Sequence, residues 1–271
     1  MQAVLDYKNS VEIPKELRSN RKLHLVQNVF QNYNPLSHLT GTIFTNLKGT
    51  HLEWDLSYDE SSHNQVVKTI ERRIEEQISS LIYEGYTLLE AALACHQYLA
   101  SNIIYQEGGF STPYEVLIEG RGVCAGYTAA MFVLLLQAGY DTGYAIEYTP
   151  ESPEIAGHIW NMIKFGEHWY HVDSTWENGD SSGTALTYFG MTDEERLPVG
   201  TPFTMELRPE MAIPECTDDS FTPLRSTSAY ILDLHHHHVY LHQYDGSWLL
   251  WNTQTMAFTP IDAPPENILQ R

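Results

Sequence analysis

The segment VCAGYTAAMFVLLLQAG, residues 123–139, is apolar on nearly every face of a helix and closes on Gly139. Such a helix persists in water only when other elements cover it all round, so the rest of the chain has to be arranged about it. Its start is unlike ordinary core: Gly120-Arg121-Gly122 leads in, and Cys124 sits in the first turn. A thiol there faces the positive end of the helix dipole and backbone N–H groups, both of which favour thiolate. Gly122 and Gly126 remove side chains where a substrate backbone would approach, and the Cys124 N–H is placed to help hold an oxyanion. For Cys124 taken alone, a small hydrophobe packed in an apolar helix is the plainer alternative.

The flanking segments supply the cover. SHNQVVKTIERRIEEQISSLI (62–82) places Val66, Val67, Ile70, Ile74 and Ile78 at helical spacing with charged residues opposite. Thr87 and Glu90 have capping-box spacing ahead of a second helix, LLEAALACHQYLA, and Thr112-Pro113 with Glu115 opens a third that stops at Gly120. From Arg21 to Tyr58, KLHLVQNVF, GTIFTN and HLEWDLSY alternate as strands do. After the central helix, TGYAIEYTP, HIWNMIKF and HWYHVDSTW read as strands again, the last two joined at Gly166 as a hairpin. A proline- and glycine-rich stretch runs from Gly190 to Pro223, and HHHHVYLHQYDGSWLLWN then forms a further hairpin about Asp245-Gly246. Helices first and strands later predict an α+β fold. The expected units are an N-terminal β region at 1–60, a core at 61–200 and a C-terminal loop and β appendage at 201–271.

The first hairpin adds a base to the thiol. With its turn centred on Phe165-Gly166, residue 164 faces 167 and His158 falls opposite Asp173. Directly paired residues have Cβ atoms roughly 4.5–5.5 Å apart, near enough for a carboxylate to accept a proton from one imidazole nitrogen and leave the other for a thiol. Cys124, His158 and Asp173 are therefore the candidate catalytic residues.

With these residues in view, GRGVCAGY, GHIWN and WYHVDSTW resemble the three core motifs of bacterial transglutaminase-like domains, and the resemblance runs from about Val66 to Glu195, taking in HQYLASNIIYQ and YFGMTDEER. It implies a papain-like core, with the nucleophile at the N-terminus of a buried helix packed on an antiparallel sheet and flanking β segments. It also implies a Cys-His-Asp triad at Cys124, His158 and Asp173. The activity implied is thiol-dependent acyl transfer from a protein or peptide amide to an amine or to water through a thioester, with no cofactor. A cysteine protease or amidase on the same triad, and a binding module with a vestigial site, are the alternatives. Ala125 follows the cysteine where animal transglutaminases have tryptophan, so their calcium-dependent crosslinking is not implied.

Trp160, Trp176 and Tyr105 are candidate substrate contacts, with core packing the alternative for the tryptophans. Tyr105 and Gln106 are also weighed as oxyanion donors, and His171 as a backup base. Cys95 reads as buried packing. Cys216, beside Glu215, Asp218 and Asp219, makes a poor nucleophile. His236 and His238 would share a face if 235–238 were a strand, but a solvated run is the simpler reading, and no metal site is expected. The net charge of −20, with no basic block, argues against nucleic acid and anionic membrane surfaces as partners. Three cysteines make no disulfide framework, and the longest apolar run, Met131 to Leu136, is too short to span a bilayer. MQAVLDYKNS has no signal pattern, which leaves a cytoplasmic setting, or a cell-surface one if a leader was removed.

Overall fold

A computed structural model describes residues 2–19, 22–23, 27, 39–108, 111–140, 144–148, 157–181, 183–196, 204–205 and 214–269. A small antiparallel sheet comes first, with strands β1 (Ser10–Glu12), β2 (Thr40–Thr45) and β3 (His51–Leu56) in the order β1-β3-β2. GTIFTN and HLEWDLSY supply β2 and β3. Of KLHLVQNVF, the described residues Lys22, Leu23 and Gln27 are helical rather than extended, and the remainder lies outside the described residues.

Helix α1 (Glu60–Leu81) starts where Asp59 accepts the Ser62 N–H at 3.0 Å, and it buries His63, Val67, Ile70 and Ile74 along one face. Helix α2 (Leu88–Asn102) carries the capping box at Thr87 and Glu90. Strand β4 (Ile104–Tyr105), helix α3 (Pro113–Leu117) and strand β5 (Arg121–Gly122) lead into helix α4 (Cys124–Gln137). Ten residues of α4 are buried. Gly139, at φ 88°, ends it in a Schellman turn, with Gly139 N–H on Leu136 O and Tyr140 N–H on Leu135 O, both at 3.0 Å.

The sheet under α4 is antiparallel, in the order β10-β6-β7-β8-β9: β6 (Tyr144–Tyr148), β7 (His158–Phe165), β8 (His168–Val172), β9 (Phe189–Met191) and β10 (Thr204–Met205). Thr128, one turn past Cys124, donates its hydroxyl to Ile159 O, and Asn161 Nδ2 donates back to Thr128 O, each at 3.1 Å. These reciprocal bonds hold the first turns of α4 against the start of β7.

The β7–β8 ladder runs from Asn161↔Val172 to Phe165↔His168, two residues away from the register expected from the sequence. The turn is Gly166-Glu167, with Gly166 at φ 61°, a left-handed conformation that glycine enters without strain. His158 pairs with Tyr148 of β6 instead, and Asp173 stands just past the end of β8. Because the shift is even, every side chain keeps its predicted face.

Asp173 leads into helix α5 (Ser174–Ser181), and α6 (Asp193–Arg196) follows β9. The tail forms a four-stranded meander, β11 (Thr227–Asp233), β12 (His238–Gln243), β13 (Trp248–Asn252) and β14 (Ala257–Ile261). Its Val239, Leu241 and Trp251 belong to the same buried cluster as Leu93 and Leu99 of α2 and Met131 and Leu134 of α4. Residues 235–237 are not a strand: Leu234–His236 is a 3-10 turn and His237 is left-handed. The run is not simply solvated either, since His237 Nδ1 lies 2.6 Å from the buried Glu90 carboxylate and His236 Nδ1 lies 2.9 Å from Asp233. Among the described residues no helix is long and apolar enough to cross a membrane.

Candidate active site

Cys124 is the first residue of α4 and is half-buried, packed beside Phe132 and Ile159. The residue before it, Val123, offers no side-chain cap, so the end of the helix is left to whatever anion sits at Cys124. Strand β4 lies parallel to β5, pairing Tyr105 with Gly122, and Gln106 N–H donates to Gly122 O at 3.0 Å. Tyr105 and Gln106 are thus drawn up beside the loop that carries Cys124. Tyr105 stays 45% exposed, and its phenol is raised by burial first and then by the nearby Cys124 and Glu107.

His158 opens β7 with its side chain 13% exposed, and its Nε2 is 2.6 Å from Asp173 Oδ2. A buried carboxylate accepts, so Nε2 carries a proton and Nδ1 is left for Cys124, whose side chain is near enough to favour the charged ring. Burial works against the charged ring, but the Asp173 charge and hydrogen bond outweigh it with help from Cys124, and His158 is pushed up to about 9. Asp173 is 1% exposed. Burial pushes its proton affinity up, while His158, Arg196 and the Trp176 N–H overcome this and hold the carboxyl below its ordinary range. Its Oδ1 accepts the N–H groups of Thr175 at 3.1 Å and Trp176 at 3.0 Å, the N-cap position of α5. One oxygen anchors the helix, and the other faces the histidine.

The His158 ring lies near-parallel to two indoles, Trp160 at 5.6 Å and 19° and Trp176 at 5.0 Å and 10° between centroids and planes. Trp160 is 1% exposed and backs the imidazole from within the core, which fits the packing alternative weighed for it. Trp176 is only half-buried. Arg196, a residue the sequence reading passed over, lies between the same two rings, its guanidinium 4.0 Å from Trp160 and 3.7 Å from Trp176, with Nη2 3.3 Å from Asp173 Oδ2.

Three other groups have settled roles. His171, weighed as a backup base, is fully buried, and both its nitrogens are occupied: Trp160 Nε1 donates to Nδ1 at 3.0 Å, which places the proton on Nε2, facing Asp193 Oδ1 at 2.9 Å. Burial pushes its proton affinity down. His171, Asp193 and Cys216 offer ligand atoms within 4.8 Å of one another, but a metal on Nε2 would require the proton on Nδ1, opposed to the indole N–H. Burial also pushes the Cys95 and Cys216 thiols up, away from nucleophilic use. A second network missed in the sequence supports α5 from below: Ser174 Oγ meets His96 Nδ1 at 3.0 Å, and His96 Nε2 lies 3.3 Å from Glu177, with both His96 and Glu177 fully buried. No spacing along the chain hinted at it, because the partners lie on different helices.

The family model described as "Transglutaminase-like superfamily" matches residues 55–174. No curated protein matches. Among solved structures, a Cytophaga hutchinsonii protein provisionally described as a cysteine protease is similar over 39% of this chain and 37% of its own, at 16% identity and a TM-score of 0.33. A TGase is similar over 61% of this chain and 48% of its own, at 13% identity and a TM-score of 0.31. This chain spans less than half the length of either neighbour, and at those TM-scores neither one's chemistry is carried over. Residues 55–174, which hold Cys124, His158, Asp173 and the helices packed beside them, are a domain of the transglutaminase-like superfamily.

Proposed function

We propose that the domain performs thiol-dependent acyl transfer on protein or peptide amides, a glutamine carboxamide above all, through an acyl-enzyme at Cys124. The reading rests on one observation: a thiol at a helix N-terminus in contact with an imidazole whose far nitrogen is bound to a buried carboxylate at 2.6 Å. His158 takes the Cys124 proton, and the thiolate adds to the amide carbon. The C–N bond then breaks while His158 returns the proton to the leaving nitrogen, releasing ammonia or an amine and leaving a thioester. An incoming amine or water loses a proton to His158, adds to the thioester and restores the thiol. Asp173 fixes the ring and its tautomer and stabilises the imidazolium. Tyr105 and the half-buried Trp176 flank the acyl group, and the first N–H groups of α4 receive the oxyanion.

The test is iodoacetamide labelling of wild type and His158→Ala with the labelled cysteines mapped, followed by incubation with a glutamine-bearing protein and a fluorescent alkylamine. Fast labelling of Cys124 alone, slowed in the variant, with an acyl adduct on Cys124 and released ammonia, is the expected result. A new peptide end in place of ammonia would make the enzyme a protease. Equal labelling of Cys124 in both proteins would leave a binding module with a vestigial site.

A further inference from the structure

The aromatic box around His158 holds a second cation. Arg196 is 2% exposed and stacked between the same two indoles that flank the imidazole, and its Nη2 shares Asp173 Oδ2 with His158 Nε2. It ends α6, beyond the residues that match the family model. A guanidinium does not lose its proton in a protein, and desolvation between two aromatic faces holds it by cation–π attraction as well as by the ion pair.

We propose that Arg196 acts as the permanent counter-ion of Asp173, so that the carboxylate keeps a cationic partner whether or not His158 carries its proton. The catalytic consequence rests on the reading given under Proposed function. During acylation His158 has to surrender its proton to the leaving nitrogen. At that moment Asp173, 1% exposed, would be a buried anion facing a neutral ring, a state costly enough to keep the proton on the histidine. Arg196 removes that cost and makes the imidazolium a usable acid. It touches neither substrate nor reacting atoms and is a positioning residue.

The other titratable groups near this cluster do not duplicate it. Tyr188 is raised by burial and by its hydroxyl's bond to Asp180, and stays neutral. His171, behind Trp160, is neutral and bound to Asp193. Cys124 faces the far side of the imidazole, and among these groups only Arg196 and His158 carry positive charge against Asp173.

The test is an NMR titration of the full chain with isotope-labelled histidine, the His158 signal being assigned by its loss in His158→Ala and read beside the pH profile of Cys124 alkylation. Arg196→Met removes the charge while keeping an apolar chain between the indoles, and Arg196→Lys keeps the charge. The expected result is a His158 titration in Arg196→Met displaced upward by about 1–2 pH units, as loss of a neighbouring like charge requires, with Arg196→Lys close to wild type. Superimposed titrations of folded wild type and Arg196→Met would overturn the proposal. Arg196→Gln replaces the methionine variant if that fails to fold; if neither neutral variant folds while Arg196→Lys does, the charge serves stability and the proposal also falls. The titration reads His158 even in an inert protein, so a failed acyl-transfer reading is recognised separately, by equal Cys124 labelling in wild type and His158→Ala.

Discussion

Asp173→Asn is the sharpest perturbation of this site, because it changes the charge of one side chain while leaving the shape around it. The carboxamide oxygen of the variant would still accept the Thr175 and Trp176 N–H groups, so the start of α5 should survive. What is lost is the anion opposite His158. The rise of His158 from 6.5 to about 9 corresponds to about 3 kcal/mol of preference for the charged ring, at about 1.4 kcal/mol per unit. Without the Asp173 charge, burial acts against a ring supported by Cys124 alone, and His158 should titrate at or below 6.5. Near pH 7 the imidazole is then mostly neutral, and labelling of Cys124 should fall about 100-fold. The assay is the iodoacetamide rate across the pH range with peptide mapping, run beside a denaturation curve. Leaving Arg196 buried without its anion should cost about 3–5 kcal/mol of stability. A folded Asp173→Asn protein with a labelling rate at pH 7 within about threefold of wild type, or with His158 still titrating near 9, would refute the reasoning.

Three further outcomes follow from the same geometry. His158 has a folded value of about 9 against 6.5 for the free side chain, so its contribution to stability is complete below about 6.5 and is lost as pH rises through 9; unfolding free energy should decline over that window in wild type and stay flatter in His158→Ala. Thr128→Val deletes the hydroxyl bond to Ile159 O at 3.1 Å and leaves a buried carbonyl short of a partner; a loss of about 1–3 kcal/mol in a urea titration is expected, with slower Cys124 labelling because α4 is no longer held to the His158 strand. Glu90→Gln disrupts a fully buried carboxylate that accepts from Thr87 N at 2.8 Å, Thr253 Oγ1 at 2.6 Å and His237 Nδ1 at 2.6 Å; limited proteolysis should cut the C-terminal sheet first, with a stability loss of about 2–4 kcal/mol, and unchanged cleavage would mean that the tail is held by its apolar contacts alone.

Local signals make much of this protein legible in its sequence. The central helix announced itself by being apolar all round, and its end by Gly139. Capping at Thr87 and Glu90 marked the start of α2. Each depends on residues a few positions apart, the range over which side-chain and backbone chemistry is dictated by sequence. Cys124 could be placed at a helix start and His158 on a strand for the same reason. Register was harder: Phe165-Gly166 and Gly166-Glu167 are both reasonable turns from sequence, and only the ladder to β6 and the departure of Asp173 into α5 decide between them. His158 and Asp173 are not cross-strand partners, yet their side chains meet at 2.6 Å because a two-residue slip preserves the face.

The sequence by itself determined most of the elements and the buried helix, and it singled out Cys124, His158 and Asp173 as candidates. Tertiary structure alone decided their electrical state. Arg196 reaches Asp173 from α6 and sits between indoles from β7 and α5, His171 spends its nitrogens on Trp160 and Asp193, and Glu90 turns from a helix cap into a tie for the C-terminal sheet. None of these contacts has a spacing along the chain that could reveal it. Charge in a protein interior is set by whichever groups the fold brings within a few ångströms, and by the water it excludes while doing so.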